Sequence, residues 1–281
     1  MPASERSLPI VAAFLAYLFT IFLAAAVLTP AIRALLDPFY PAPAGRYFRR
    51  VLEFAALVLL FLFRKSMGIR SWRDVGFSRP ILAPFLWGCL LGLVSGLVCL
   101  LPLVLPSLSG HQAGLRWDAV SLATWMGRGL LVALTEELLF RGIFFTILLR
   151  GLGRFPSILA SALLFCLAHY LRAAPTVSEG PPTFSSGWEL LLTHLAPILS
   201  FAWLDPRGLL LFSAGIALAA AYLETGALWF PVGIHALWVT LLYGLAAEPR
   251  ASSALWSALV IAAFGVLLWM RSGRHRLGGV A

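Results

Sequence analysis

The chain has 281 residues, 60% of them hydrophobic and only 12% charged, with a mean hydropathy of +0.91. Ordinary soluble domains carry about 25% charged residues, so this composition excludes one and leaves a polytopic membrane domain with little extramembrane mass. The net charge of +9 is almost all arginine, Lys65 being the only lysine. Because the arginines stand beside apolar segments, topology and anionic headgroups account for them better than nucleic acid does.

Apolar runs of spanning length fall at about 9–29, 48–63, 81–105, 122–149, 155–170, 208–224, 227–245 and 252–270. Each approaches the ~20 residues a transmembrane helix needs, which predicts an all-α polytopic bundle of about eight spans. The first run lacks a basic leader and a small-residue cleavage site, and it is taken as a retained span. The loop after the second run carries Arg64, Lys65, Arg70, Arg73 and Arg79 against a single Asp74. The positive-inside rule makes that loop cytoplasmic. Eight crossings then also place the Arg150/Arg154 turn and the Arg271, Arg274, Arg276 tail inside, while Arg46, Arg49 and Arg50 come out on the opposite face.

A further run, Trp188 to Trp203, is short and holds His194 and Pro197. It follows a polar loop, Pro175 to Gly187, and is expected to be re-entrant or interfacial. By motif content the chain divides into N-terminal helices (1–119), a core (120–245) with an insertion near 171–207, and a last helix with a basic tail (246–281). Cys89, Cys99 and Cys166 all lie in apolar runs without CxxC or zinc-type spacing, so neither a disulfide framework nor a thiolate metal site is expected.

The fourth run contains Thr135-Glu136-Glu137-Leu138-Leu139-Phe140-Arg141, and Val132 to Leu149 holds no other charge. Each ionisable group at bilayer depth costs about 2.5–3.5 kcal/mol on insertion scales, and such groups usually face a bundle interior or a wet cavity. On a helix Glu137 and Arg141, at i,i+4, can pair, while Glu136 points roughly 100° away. A purely structural pair would leave the second glutamate without a local partner. Two histidines lie in later apolar runs: His169 in Phe165-Cys166-Leu167-Ala168-His169, and His235 in Pro231-Val232-Gly233-Ile234-His235. Two glutamates, an arginine and two histidines can assemble a water-activating site, with a Glu–His base and a second histidine at the oxyanion.

At these residues the chain resembles the CAAX protease and bacteriocin-processing family of intramembrane endopeptidases, which includes the Ras-converting CAAX proteases. The Glu-Glu-x-x-x-Arg motif is Glu136, Glu137, Arg141; the Phe-x-x-x-His motif is Phe165 to His169; the third motif aligns on His235, after Gly215 and the Gly226-Ala227-Leu228-Trp229 turn. The resemblance covers about 120–245. It implies peptide-bond hydrolysis in the membrane. Glu136 and His169 would activate water, Glu137 and Arg141 would organise the site, and His235 would sit at the oxyanion. The implied partners are the bilayer and a membrane-anchored or C-terminally processed protein or peptide; the implied setting is an integral membrane protein, and the arginine-heavy, lysine-poor composition hints at a GC-rich bacterial genome and so at a bacterial inner membrane.

Two departures stand out. Val239 occupies the position four residues after His235 where the family usually carries asparagine, which leaves the oxyanion to His235, a backbone amide or Thr240. The 171–207 insertion is the second. No cofactor is expected; the metal-dependent variant would use Glu136, His169 and His235 as zinc ligands. From other classes come a non-catalytic relative, serving bacteriocin self-immunity or as an export scaffold, and a proton-coupled transporter, which the lack of inverted repeats disfavours.

Overall fold

The computed structural model describes residues 3–104, 118–171, 182–245 and 251–277. Among these the chain is all-α, with no strand. The helices are α1 (Ala3–Leu36), α2 (Ala44–Phe63), α3 (Leu82–Val104), α4 (Ala119–Glu137), α5 (Thr146–Leu152), α6 (Arg154–His169), α7 (Phe184–Leu199), α8 (Pro206–Thr225), α9 (Trp229–Leu245) and α10 (Ala251–Leu277). The part of the expected polar loop from Pro175 to residue 181 lies outside the described residues, as do the side chains of Arg274 and Arg276.

Polar side chains start the helices where the apolar runs begin. Asp118 accepts from Ser121 N at the head of α4, Thr183 from Ser186 N at α7, and Asp205 from Gly208 N at α8, where Pro206 takes the first turn. Gly226, in the left-handed region at φ 64°, closes α8.

The eight expected runs all fall on helical segments. Among the described residues four helices are long and apolar enough to cross a membrane: Pro9–Leu36, Leu82–Pro102, Pro206–Thr225 and Ser253–Arg271; the apolar helices Arg154–His169 and Trp229–Leu242 are shorter. The fourth run differs from the expected single α-helix. Between α4 and α5, Leu138–Phe145 is π-helical.

Cα packing resolves two compact units, Met1–Arg70 with Leu167–Trp203, and Ser71–Cys166 with Leu204–Ala281. In the first, α1, α2 and α7 pack on one another around Ala25, Ala26, Phe48, Val51, Leu190 and Leu191. Gly187 lets the α7 backbone approach the Ala26 carbonyl, where a Cβ would collide. His194 is buried with its ring 4.4 Å from Phe48, and its Nδ1–H donates to Leu190 O at 2.7 Å. The described part of the 171–207 insertion is thus chiefly a helix packed on α1 and α2.

In the second unit, α9 lies against both α3 and α4, and α10 runs along α8. Small residues permit this. A Cβ at Gly88 or Gly233 would run into the facing backbone of α9 or α3, and one at Gly92 would stand 2.6 Å from Ile234 O. Close backbone approach through small residues is the usual basis of helix association in lipid, where apolar burial gives no advantage. Trp238 Nε1 donates across to Ser95 Oγ at 2.9 Å. α3 and α10 share this unit with α4, α8 and α9, lying along α9 and α8 respectively.

The candidate active site

Four of the five residues singled out by motif come together in the second unit. Glu137 is fully buried, and its Oε1 accepts from Arg141 Nη1 at 2.9 Å, the i,i+4 pair expected from spacing. The same oxygen lies 2.8 Å from His235 Nδ1. An ionised carboxylate can only accept, so Nδ1 carries the proton there. His235 Nε2 lies 3.8 Å from Glu136 Oε2, with the Glu136 side chain 27% exposed. Adjacent carboxylates on α4 therefore face the two ring nitrogens of one histidine on α9.

His169 is the last residue of α6, half-buried, and belongs with the first unit. Its place is fixed here along its own helix, one turn beyond Phe165. Phe165 itself is in the second unit, with its ring 5.9 Å from His235 and under the Arg141 guanidinium at 4.5 Å.

Arg141 is the keystone of the buried cluster. With no exposed surface, it donates through Nη1 to Glu137 and through Nη2 to Gly215 O at 3.3 Å, and it lies over the Phe165 ring. A buried guanidinium is tolerated only when paired and hydrogen-bonded, and a cation over an aromatic face gains further when water is excluded. Gly215 was legible in the sequence as part of a glycine-containing approach but not as an arginine ligand. Its role follows from packing: a Cβ there would stand 2.6 Å from Ala162 Cα, so glycine allows α8 to close on α6.

The π-helical turn begins directly after Glu137 and contains Arg141. Such segments are rare and recur at functional sites. The Thr146 hydroxyl donates to Arg141 O at 3.2 Å, five residues back. Gly142 faces the loop at 71–77, with Val75 O 2.9 Å from where a Cβ would sit. That loop is tied to the α8–α9 turn by Leu228 N donating to Gly76 O at 2.8 Å. No residue type in the sequence announces the π register, which coincides with these contacts.

Val239 is half-buried one turn after His235. Thr240, the nearby hydroxyl considered for the oxyanion, donates to Ala236 O at 2.7 Å and packs into the hollow at Gly129. Its single proton is engaged within α9. Among the described residues no three of His, Cys, Asp and Glu are grouped as metal ligands would be, and the three cysteines are free.

Residues 118–241 match the family model described as type II CAAX prenyl endopeptidase, Rce1-like. The match opens at the Asp118 cap of α4 and closes within α9, six residues after His235, so it contains every residue of this cluster. No curated protein and no solved structure matches the chain. Residues 118–241 are thus similar to the CAAX protease family, whose members are membrane-embedded endopeptidases, and the helices long and apolar enough to cross a membrane fit an integral membrane protein.

Proposed function

We propose that the protein hydrolyses a peptide bond near the C-terminus, or in the membrane-adjacent segment, of a protein or peptide substrate, using water activated by Glu136 and His169. The observation that carries this reading is the pairing of Glu136 and Glu137 with opposite ring nitrogens of His235, braced by a buried arginine.

Each group has work suited to its surroundings. Glu137, tied to Arg141, takes the Nδ1 proton bond of His235 and so fixes the ring's orientation and tautomer. Glu136 is the more accessible carboxylate and can take a proton from an attacking water, then pass it to the leaving amine. His169 is assigned as the second partner of that water from the Phe-x-x-x-His motif, in which it follows Phe165 by one helical turn. The 3.8 Å between His235 Nε2 and Glu136 Oε2 exceeds a direct hydrogen bond and suits a shared water or substrate atom. With Nδ1–H committed to Glu137, His235 can donate from Nε2 to an oxyanion only as the imidazolium; as the neutral ring it accepts there.

In detergent, Glu136→Gln and His169→Ala are each expected to abolish cleavage of a C-terminally processed membrane substrate. Turnover surviving both would sink the assignment. Metal content and chelator sensitivity of the purified protein separate this route from one using Glu136, His169 and His235 as zinc ligands. The setting proposed is a bacterial inner membrane.

Val239 favours a second reading, a non-catalytic member of the family that confers immunity to a bacteriocin or scaffolds export. Protection against such a toxin that persists in Glu136→Gln would support it, because hydrolysis cannot then be required.

A further inference from the structure

The first unit holds a cleft of about 510 Å³ between the C-terminal end of α1 and the first turns of α2. Its lining includes Ile32 and Leu36 from α1 and, along one stripe of α2, Arg46, Arg50 and Phe54, with Tyr47 beside them. None of these residues lies in the family match. The volume falls within the range of small-ligand sites.

The turn that forms the cleft is held in shape. Asp37 Oδ1 accepts from Ala42 N at 3.3 Å, and the Tyr47 hydroxyl donates to Tyr40 O. The cleft stands where a span ends: Pro9–Leu36 is long and apolar enough to cross a membrane, and Phe39 and Tyr40 follow it, 84% and 63% exposed. Exposed aromatics at a span's end mark headgroup depth. The first turns of α2 carry Arg46, Arg49 and Arg50 with no acidic residue in the first turn and no side-chain cap at Pro43, so the helix N-terminus adds to a positive field. Arg50 Nη1 donates to Glu53 at 2.6 Å, but both groups are exposed and such a pair contributes little. Beyond the arginines the lining turns apolar, through Leu36 and Phe54, which are 44% and 69% exposed. The eight spans expected from the sequence would put this cluster on the face where a basic excess is not expected, which a bound anion would account for.

We propose that this cleft binds an anionic phospholipid, with the phosphate between Arg46 and Arg50 and an acyl chain along Ile32, Leu36 and Phe54. A soluble phosphate would use the arginines but leave the apolar wall without a function, so a lipid fits the whole lining.

The test is lipid titration of the detergent-solubilised full chain, read by native mass spectrometry, with dioleoyl phosphatidylglycerol against dioleoyl phosphatidylcholine. Wild type is expected to prefer phosphatidylglycerol, and the preference should fall about fivefold for each arginine removed in Arg46→Gln and Arg50→Gln. Leu36→Trp, which obstructs the apolar wall without disturbing buried residues, should weaken both lipids. Arg73→Gln, at an exposed arginine outside the cleft, should leave the preference intact. The proposal fails if the double variant Arg46→Gln/Arg50→Gln keeps the preference, if Arg73→Gln loses as much, or if glycerol phosphate competes as well as the whole lipid.

Discussion

At the level of single residues, Glu137 organises the buried cluster because one of its oxygens serves two donors from different helices, Arg141 at 2.9 Å and His235 at 2.8 Å. Removing one member of a buried ion pair leaves the other charge uncompensated, which typically costs about 3–5 kcal/mol. Arg141→Met should therefore lower thermal stability in detergent sharply, while Glu137→Gln/Arg141→Met should recover part of the loss. Additive losses in that cycle would show that the two side chains are not coupled. The neighbouring glutamate has a different fate, being partly exposed and set against Nε2. Val239 offers a gain-of-function experiment. An asparagine there supplies an amide donor one turn from His235, and one such donor is worth about 10²–10³ in rate in a well-studied protease. Val239→Asn should raise kcat by tenfold or more; an unchanged kcat would mean that another group already serves the oxyanion.

At the level of elements, the cluster depends on where helices touch. α8 brings the Gly215 carbonyl to Arg141 only because glycine lets it close on Ala162. Overpacking a tight contact generally costs about 1–3 kcal/mol. Gly215→Val should therefore destabilise the fold and also reduce activity at temperatures where the variant is still folded, since the backbone acceptor must move. Activity per folded molecule equal to wild type would show that the carbonyl is dispensable. The motif spacing made Glu137 and Arg141 neighbours on any helix, and this pairing was legible in advance. The π turn was not. The apolar run from 122 to 149 predicts a plain α-helix, whereas the structure widens it where Gly142 meets the Val75 carbonyl and Thr146 reaches back to Arg141 O.

For the whole molecule, the matched segment 118–241 is less than the packed one. α9, which carries His235, is closed against α3 through Gly88, Gly92 and Gly233, and α8 lies along α10 with Gly265 meeting Ala217. Excised as residues 118–241, the segment would expose faces whose close fit is specific to those two helices. It is expected to run as aggregate on size exclusion in the detergent that keeps the full chain monodisperse. A monodisperse, helical fragment would show that α3 and α10 are accessory.

Composition alone determined that this chain lives in a membrane as a helical bundle, because no soluble core could absorb so much apolar surface with so few charges. Motif order and spacing also pointed to the family whose model matches 118–241, and set Glu137 beside Arg141, since side chains one turn apart on a helix share a face. What the sequence could not convey is which helices press together. That choice rests on backbone approach at scattered glycines, and it alone decided that His235 would bridge two adjacent carboxylates, that Thr240 would turn its hydroxyl back into its own helix, and that the insertion's helix would pack on α1 and α2.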